Sequence, residues 1–218
     1  MYSGGMHGRV NNYEKIRDNF LSDKMGKLTN RAIRIKLKIF SGRKNEAKKE
    51  LAEAMKITKI YYNNIPSSVV VALESLAALI YFQDGRYDLA YAQCQRVIEM
   101  GKKVYGKEMV ADFQLHIHAL LGKIYENKGS PELALKEYKK CLQYYDEHSY
   151  GRAINSYEYG ELLANLCVLH YQQKEYNKSK IYFQKLASSF GLGNKIIEKL
   201  IKELPVEYIY QIGAHDHG

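Results

Sequence analysis

The chain repeats itself, and the spacing of the repeat constrains the fold more than any other feature. Three segments carry it: DGRYDLAYAQCQRV (84–97), KGSPELALKEYKKC (128–141) and KEYNKSKIYFQKL (174–186). They align on a small residue, Ala90, Ala134 and Ser179. Cys94, Tyr138 and Phe183 stand four residues later, and Val97, Cys141 and Leu186 seven later. Nine residues upstream are Tyr81, Tyr125 and His170; twelve upstream are Ala78, Gly122 and Cys167. A weaker copy, with Gly42, Ala47, Leu51 and Ala54, precedes them, so the period runs 43, 44 and then 45 residues.

Offsets of three, four and seven place side chains on one face of a helix. Each unit is therefore predicted to be two antiparallel helices joined by a short turn. Small residues let the two backbones approach, and aromatic rings fill the space between them. Gly85 and Gly129, five before the small residue, supply the left-handed conformation that ends the first helix; Lys174 takes that place in the last copy. Ser130-Pro131 opens the second helix of its unit, with Ser as N-cap and Pro at the first helical position. Such a helix pair cannot bury its inner face alone and must stack on its neighbours.

This small–aromatic–small–aromatic–small pattern resembles the tetratricopeptide repeat, in Ala78, Tyr81, Ala90, Cys94 and Val97, in Gly122, Tyr125, Ala134, Tyr138 and Cys141, and in Cys167, His170, Ser179, Phe183 and Leu186. The usual period of that repeat is about 34 residues. The longer period here is similar to the kinesin-light-chain type, as are the stretches 103–125 and 161–171. The resemblance implies an all-α, TPR-like superhelix, an α-solenoid of antiparallel helix pairs. It divides the chain into a basic extension (1–27), about four helix pairs (28–190), and a capping helix with a flexible tail (191–218). The cap is read from Ile197, Leu200, Ile201 and Leu204 on one helical face, stopped by Pro205.

Charge is distributed unevenly. The net charge is +9. Residues 1–60 hold 15 Lys or Arg against six acids, and residues 61–218 hold 18 of each. The whole excess lies in the first quarter. Lys27, Arg31, Arg34 and Lys38 recur at helical offsets as a basic stripe, with Ile33, Leu37 and Phe40 on another face of the same helix. The stripe is read as a docking surface for an acidic protein or an anionic membrane. Nucleic acid is disfavoured, because no aromatics interleave with the basic residues.

No apolar run reaches the length of a membrane span. The first 20 residues lack the apolar core of a secretory signal. They also lack acids before Glu14, which leaves a mitochondrial location open; the favoured expectation is cytoplasmic, including cytoskeletal or ciliary assemblies. Cys94, Cys141 and Cys167 are odd in number and dispersed, which argues for buried free thiols in a reducing compartment. His116-x-His118 cannot share a helical face and has no acid or Cys at i+4, so no metal site and no cofactor are expected. There is no phosphate loop, nucleophile elbow or His-Glu-x-x-His, and the chain is expected not to be an enzyme.

In the implied superhelix the first helices of successive units line a concave groove. The partner-binding candidates are Ser75, Leu79 and Phe82, then His116, Lys123 and Asn127, then Glu161 and Asn165. Kinesin light chains place Asn on these helices to hold an extended peptide; Asn165 matches, whereas Leu76 and Leu120 occupy the equivalent sites. The favoured function is a non-catalytic protein–protein interaction scaffold, a structural or accessory subunit of a larger assembly. The alternatives are a peptide-binding adaptor resembling kinesin light chains, and a peripheral factor held on an anionic membrane or RNA by its basic end.

Overall fold

The computed structural model describes residues 24–62, 67–106, 111–148, 157–191 and 195–213; ten helices and the turns between them account for these, with no strand among them. The helices are α1 (24–40), α2 (Lys44–Tyr62), α3 (Ser68–Gln83), α4 (Tyr87–Tyr105), α5 (Ala111–Asn127), α6 (Pro131–His148), α7 (Tyr157–Gln172), α8 (Tyr176–Phe190), α9 (Lys195–Glu203) and α10 (Val206–Gly213). They fall into two compact units, divided after Met109. The first contains α1–α4 and the second α5–α10.

Every repeat turn is built the same way. Gly42, Gly85 and Gly129 have φ of 76°, 72° and 68°. In each turn the glycine N–H bonds back to the carbonyl three residues earlier. The next N–H reaches the carbonyl five earlier, as in Arg86 to Tyr81 (3.0 Å) and Ser130 to Tyr125 (2.9 Å). This pair of hydrogen bonds closes the first helix and turns the chain antiparallel. Lys174 adopts the same left-handed conformation, φ 61°, with the same bonds to Tyr171 and His170.

The aligned repeat positions are the core. Ala47, Ala54, Ala78, Ala90, Cys94, Val97, Ala134, Tyr138, Cys167, Ser179 and Leu186 are all fully enclosed. The pairing of small residue and ring is explicit between α5 and α6. A Cβ on Gly122 would lie 2.3 Å from Tyr138 Cε1, so the ring occupies the space that the absent side chain leaves. In the last pair His170 takes the aromatic place, buried and stacked on Tyr182 with ring centroids 5.4 Å apart.

The first unit's core joins α1, α2 and α3 through Leu28, Ile35, Ile39, Leu51, Leu73 and Ile80. The second unit's core runs from α6 to α10. Here Gly160 matters: a Cβ there would stand 2.5 Å from Ile196, so the bare backbone of α7 lets α9 seat closely.

Three expectations change. Helix α1 starts by residue 24, so 24–27 belong to the first helix and not to an extension. On α9 the buried residues are Ile196, Ile197 and Leu200, with Leu204 just beyond its end, while Ile201 is exposed. Pro205 does stop α9, but α10 follows it and packs on α8, with Tyr208 OH donating to the Tyr176 carbonyl (3.1 Å). Pro205 ends one helix because it lacks an N–H. Its carbonyl then accepts from Ile209 N (3.1 Å) to start the next. The final residues AHDHG lie outside the described residues.

Candidate functional site

The structure brings together part of the predicted groove. In the second unit, Lys123 on α5 donates to Glu161 Oε2 on α7 at 3.0 Å, and Tyr157 OH donates to Glu161 Oε1 at 3.2 Å. Glu161 and Asn165 lie one turn apart and line a cleft with Tyr157 and Ala164 of α7 and with Ile196, Lys199, Leu200 and Glu203 of α9. The floor is apolar and the walls carry both signs of charge. Beside it Glu126 accepts from Tyr138 OH (2.5 Å); burial pushes its carboxyl above the usual range against the pull of that bond.

The other candidates are placed differently. Asn127 is exposed at the end of α5, its amide bonded to the Lys123 carbonyl (2.8 Å). His116 is exposed near the start of α5. In the first unit Ser75 is half-buried and returns its hydroxyl to the Val71 carbonyl (2.7 Å). Leu79 packs on the core, and Phe82 meets Tyr87 with ring centroids 5.6 Å apart.

The basic stripe turns inward on its own neighbour. Arg34 bonds to Glu50 (2.8 Å), Lys38 to Glu50 (2.9 Å) and Glu46 (3.4 Å), and Arg31 approaches Glu53 (3.8 Å). Burial pushes the Glu50 carboxyl up, but the bonds from Lys38 and Arg34 outweigh it and hold the group below its usual range. The stripe faces the acids of α2 because α1 packs antiparallel on that helix; Lys27, near the start of α1, is exposed. The apolar set Ile33, Leu37 and Phe40 is exposed, while Leu28, Ala32, Ile35 and Ile39 form the buried face.

Sequence reasoning missed a polar cross-link between the two helices of a pair. It sits sixteen residues before the small residue on the first helix, and three and six after it on the second. In the first pair this is Arg31 with Glu53. In the second, buried Glu74 accepts from Gln93 (2.5 Å) and Arg96 (3.0 Å). In the third, buried His118 Nδ1 meets Glu137 (2.5 Å), which also holds Lys140 (2.7 Å). Burial pushes the Glu137 carboxyl up, but His118 and Lys140 hold it below its usual range. In the fourth the site is apolar Leu163. The signal was the fixed offset, which stays hidden because the charges change sign from copy to copy.

The cysteines are buried free thiols. Burial pushes Cys94 up to about 12 and Cys167 to about 11, and raises Cys141 as well, so none is a ready nucleophile at neutral pH. Among the described residues no group of three His, Cys, Asp or Glu is placed to hold a metal ion. No described helix is long and apolar enough to cross a membrane.

Comparison with known proteins agrees with this geometry. A family model, tetratricopeptide repeat, matches residues 115–148, which span most of α5 and all of α6. A search of the curated proteins finds no match. The fold is similar to the crystal structure of BtubC (BKLC) from P. vanneervenii, with a TM-score of 0.56 and 15% identity, over 81% of this chain and 67% of that one. With a matched tetratricopeptide repeat at 115–148 and antiparallel helix pairs joined by left-handed turns, the chain has an all-α fold of the TPR-like solenoid type.

Proposed function

We propose that the chain is a non-catalytic scaffold, a structural or accessory subunit of a larger protein assembly, and that the cleft between α7 and α9 holds a segment of a partner. The observation that carries this reading is the convergence of Lys123, Glu161 and Asn165 beside an apolar floor, on helices whose other faces are committed to the core. The tetratricopeptide repeat supports protein binding as the general role. Reaction chemistry has no support in the described residues: the buried histidines are each tied to a glutamate, and the thiols are enclosed.

The form of the cleft favours a helix or a folded surface over an extended peptide. An extended backbone needs a ladder of side-chain amides, one from each repeat. Asn165 offers one, but Leu76 and Leu120 at the equivalent positions are buried in the core. The ion pairs of α1 with α2 likewise weigh against docking through the predicted stripe, because charges already paired gain little from a new partner.

The test is native purification from the source, with mass spectrometry of stoichiometric companions, repeated with Asn165→Arg. Asn165 is half-buried at the cleft wall, so the longer cation fills the cleft without entering the core. The expected result is loss of one companion with unchanged helicity. Retention of every companion places the contact elsewhere.

A further inference from the structure

The last helix pair of the repeat differs from the others at one aligned position. Where the two preceding pairs place Tyr81 and Tyr125, it places His170, a side chain that can gain a charge near neutral pH. The imidazole is 1% exposed and stacks on Tyr182. Its Nδ1 lies 2.5 Å from Glu175 Oε2. The bond from Lys178 (2.6 Å), and then that from His170, hold the Glu175 carboxyl below its usual range. An ionised carboxylate only accepts, so Nδ1 carries the proton and Nε2 is bare. That Nε2 is buried and has no hydrogen-bond partner among the described residues. Protonation sets a charged N–H there with no acceptor to receive it. The other groups around the ring offer none: Lys139 of α6 and Lys178 of α8 are cations, and Tyr182 of α8 presents its face, 10° from parallel.

The turn that follows His170 is also the seat of α10. Its backbone closes through Lys174 N to the Tyr171 carbonyl (2.9 Å) and Glu175 N to the His170 carbonyl (2.9 Å), with Lys174 left-handed where the other repeat turns have glycine. A left-handed side-chain-bearing residue is the least favourable backbone near the ring, and the place where the structure yields most readily. Helix α10 has eight residues and is anchored by Tyr208 and Ile212. Tyr208 meets Tyr171 on one side of the turn and Tyr176 on the other, with ring centroids 4.6 and 5.9 Å apart. Its hydroxyl donates to the Tyr176 carbonyl (3.1 Å). Helix α9 seats elsewhere, with Ile196 over Gly160 near the start of α7. We propose that His170 and this turn form an acid-operated latch: protonation of the imidazole loosens residues 170–176 and releases α10, which uncovers the Tyr171 and Tyr176 rings while the α5–α6 pair stays packed. The sign follows from the surroundings. Burial, and then the two lysines, outweigh Glu175, so the folded chain binds this proton less readily than a solvated imidazole does. The latch therefore opens as pH falls below 6.5.

Hydrogen exchange on the full chain, expressed as protection relative to coil exchange at the same pH, tests the latch. Between about pH 7.5 and about pH 5.5, protection of residues 206–213 is expected to fall at least about threefold, while α5 and α6 keep theirs. His170→Tyr, which restores the ring of the aligned positions, is expected to abolish that fall. His170→Phe serves the same purpose should the first variant fold poorly. Protection of 206–213 that does not change with pH in the unaltered chain overturns the proposal. A fall that persists in the folded variant also overturns it, and assigns the proton to another group. A fall shared equally by α5 and α6 overturns it too, because that is unfolding of the whole unit.

Discussion

Gly122 and Lys174 show how one residue sets the geometry of a whole pair. Gly122→Ala improves helix propensity by about 1 kcal/mol in an exposed helix, but here the added Cβ meets the enclosed Tyr138 ring at 2.3 Å. The expected outcome is a net loss of about 1–3 kcal/mol by chemical denaturation, because an enclosed ring has nowhere to move. Lys174 stands in the left-handed region at φ 61°, which costs a side chain about 1–2 kcal/mol. Lys174→Gly is therefore expected to stabilise the chain and raise the melting temperature by roughly 2–4 °C. A third residue, His170, links packing to pH. Burial lowers its pKa below the ordinary 6.5, with nearby Lys139 and Lys178 acting in the same sense against the bond to Glu175 and its charge. The unfolded chain thus binds the proton more readily, and stability falls as pH drops below 6.5. His170→Tyr restores the ring of the other repeats and should flatten that part of a melting-temperature profile.

At the scale of elements, the helix pairs are held by the same packing but locked by different polar bridges. Apolar faces alone allow a helix to slide by one turn, because residues i and i+4 are interchangeable on the surface. A buried acid with one fitted partner does not permit this. Glu74 and Glu137 each accept two bonds from their partner helix or their own, and each is mostly enclosed. Between α1 and α2 the same role falls to Glu50, which binds both Arg34 and Lys38, while Glu53 has one long contact and is half exposed. Glu50→Lys is accordingly expected to lower the thermal midpoint more than Glu53→Lys, with the difference shrinking at high salt. Equal effects of the two reversals, measured by circular dichroism melts, would contradict the bridge as a register lock.

For the whole molecule, the division after Met109 separates a strongly basic unit from a nearly neutral one. The second unit owns a core that runs through five successive helices and is closed at its end by α9 and α10. Expressed alone, residues 110–218 are expected to be helical by far-UV circular dichroism and to melt cooperatively, since stacked repeats draw their stability from nearest neighbours. A non-cooperative melt would show that its core depends on the first unit. The charge difference concerns association. Any contact made through the first unit should weaken steeply with salt, whereas binding in the cleft of the second, with its mixed signs, should respond little.

The sequence by itself determined the repeat, the turns and the buried small residues. These are local facts. A glycine at a left-handed turn, or a ring four residues from an alanine, says the same thing wherever the chain goes. It also placed Lys123, Glu161 and Asn165 on first helices, because those positions follow from the register. Tertiary structure decided which way the charged residues face. Arg31, Arg34 and Lys38 form a basic stripe on a helical wheel, but their electrostatics depend on a neighbouring helix that presents Glu46, Glu50 and Glu53. The same holds for Ile33 and Leu37, apolar residues that stay exposed while Leu28, Ala32, Ile35 and Ile39 form the buried face of the same helix. Helical periodicity reports which residues share a face. Only the packing of another element reports whether that face meets protein or solvent.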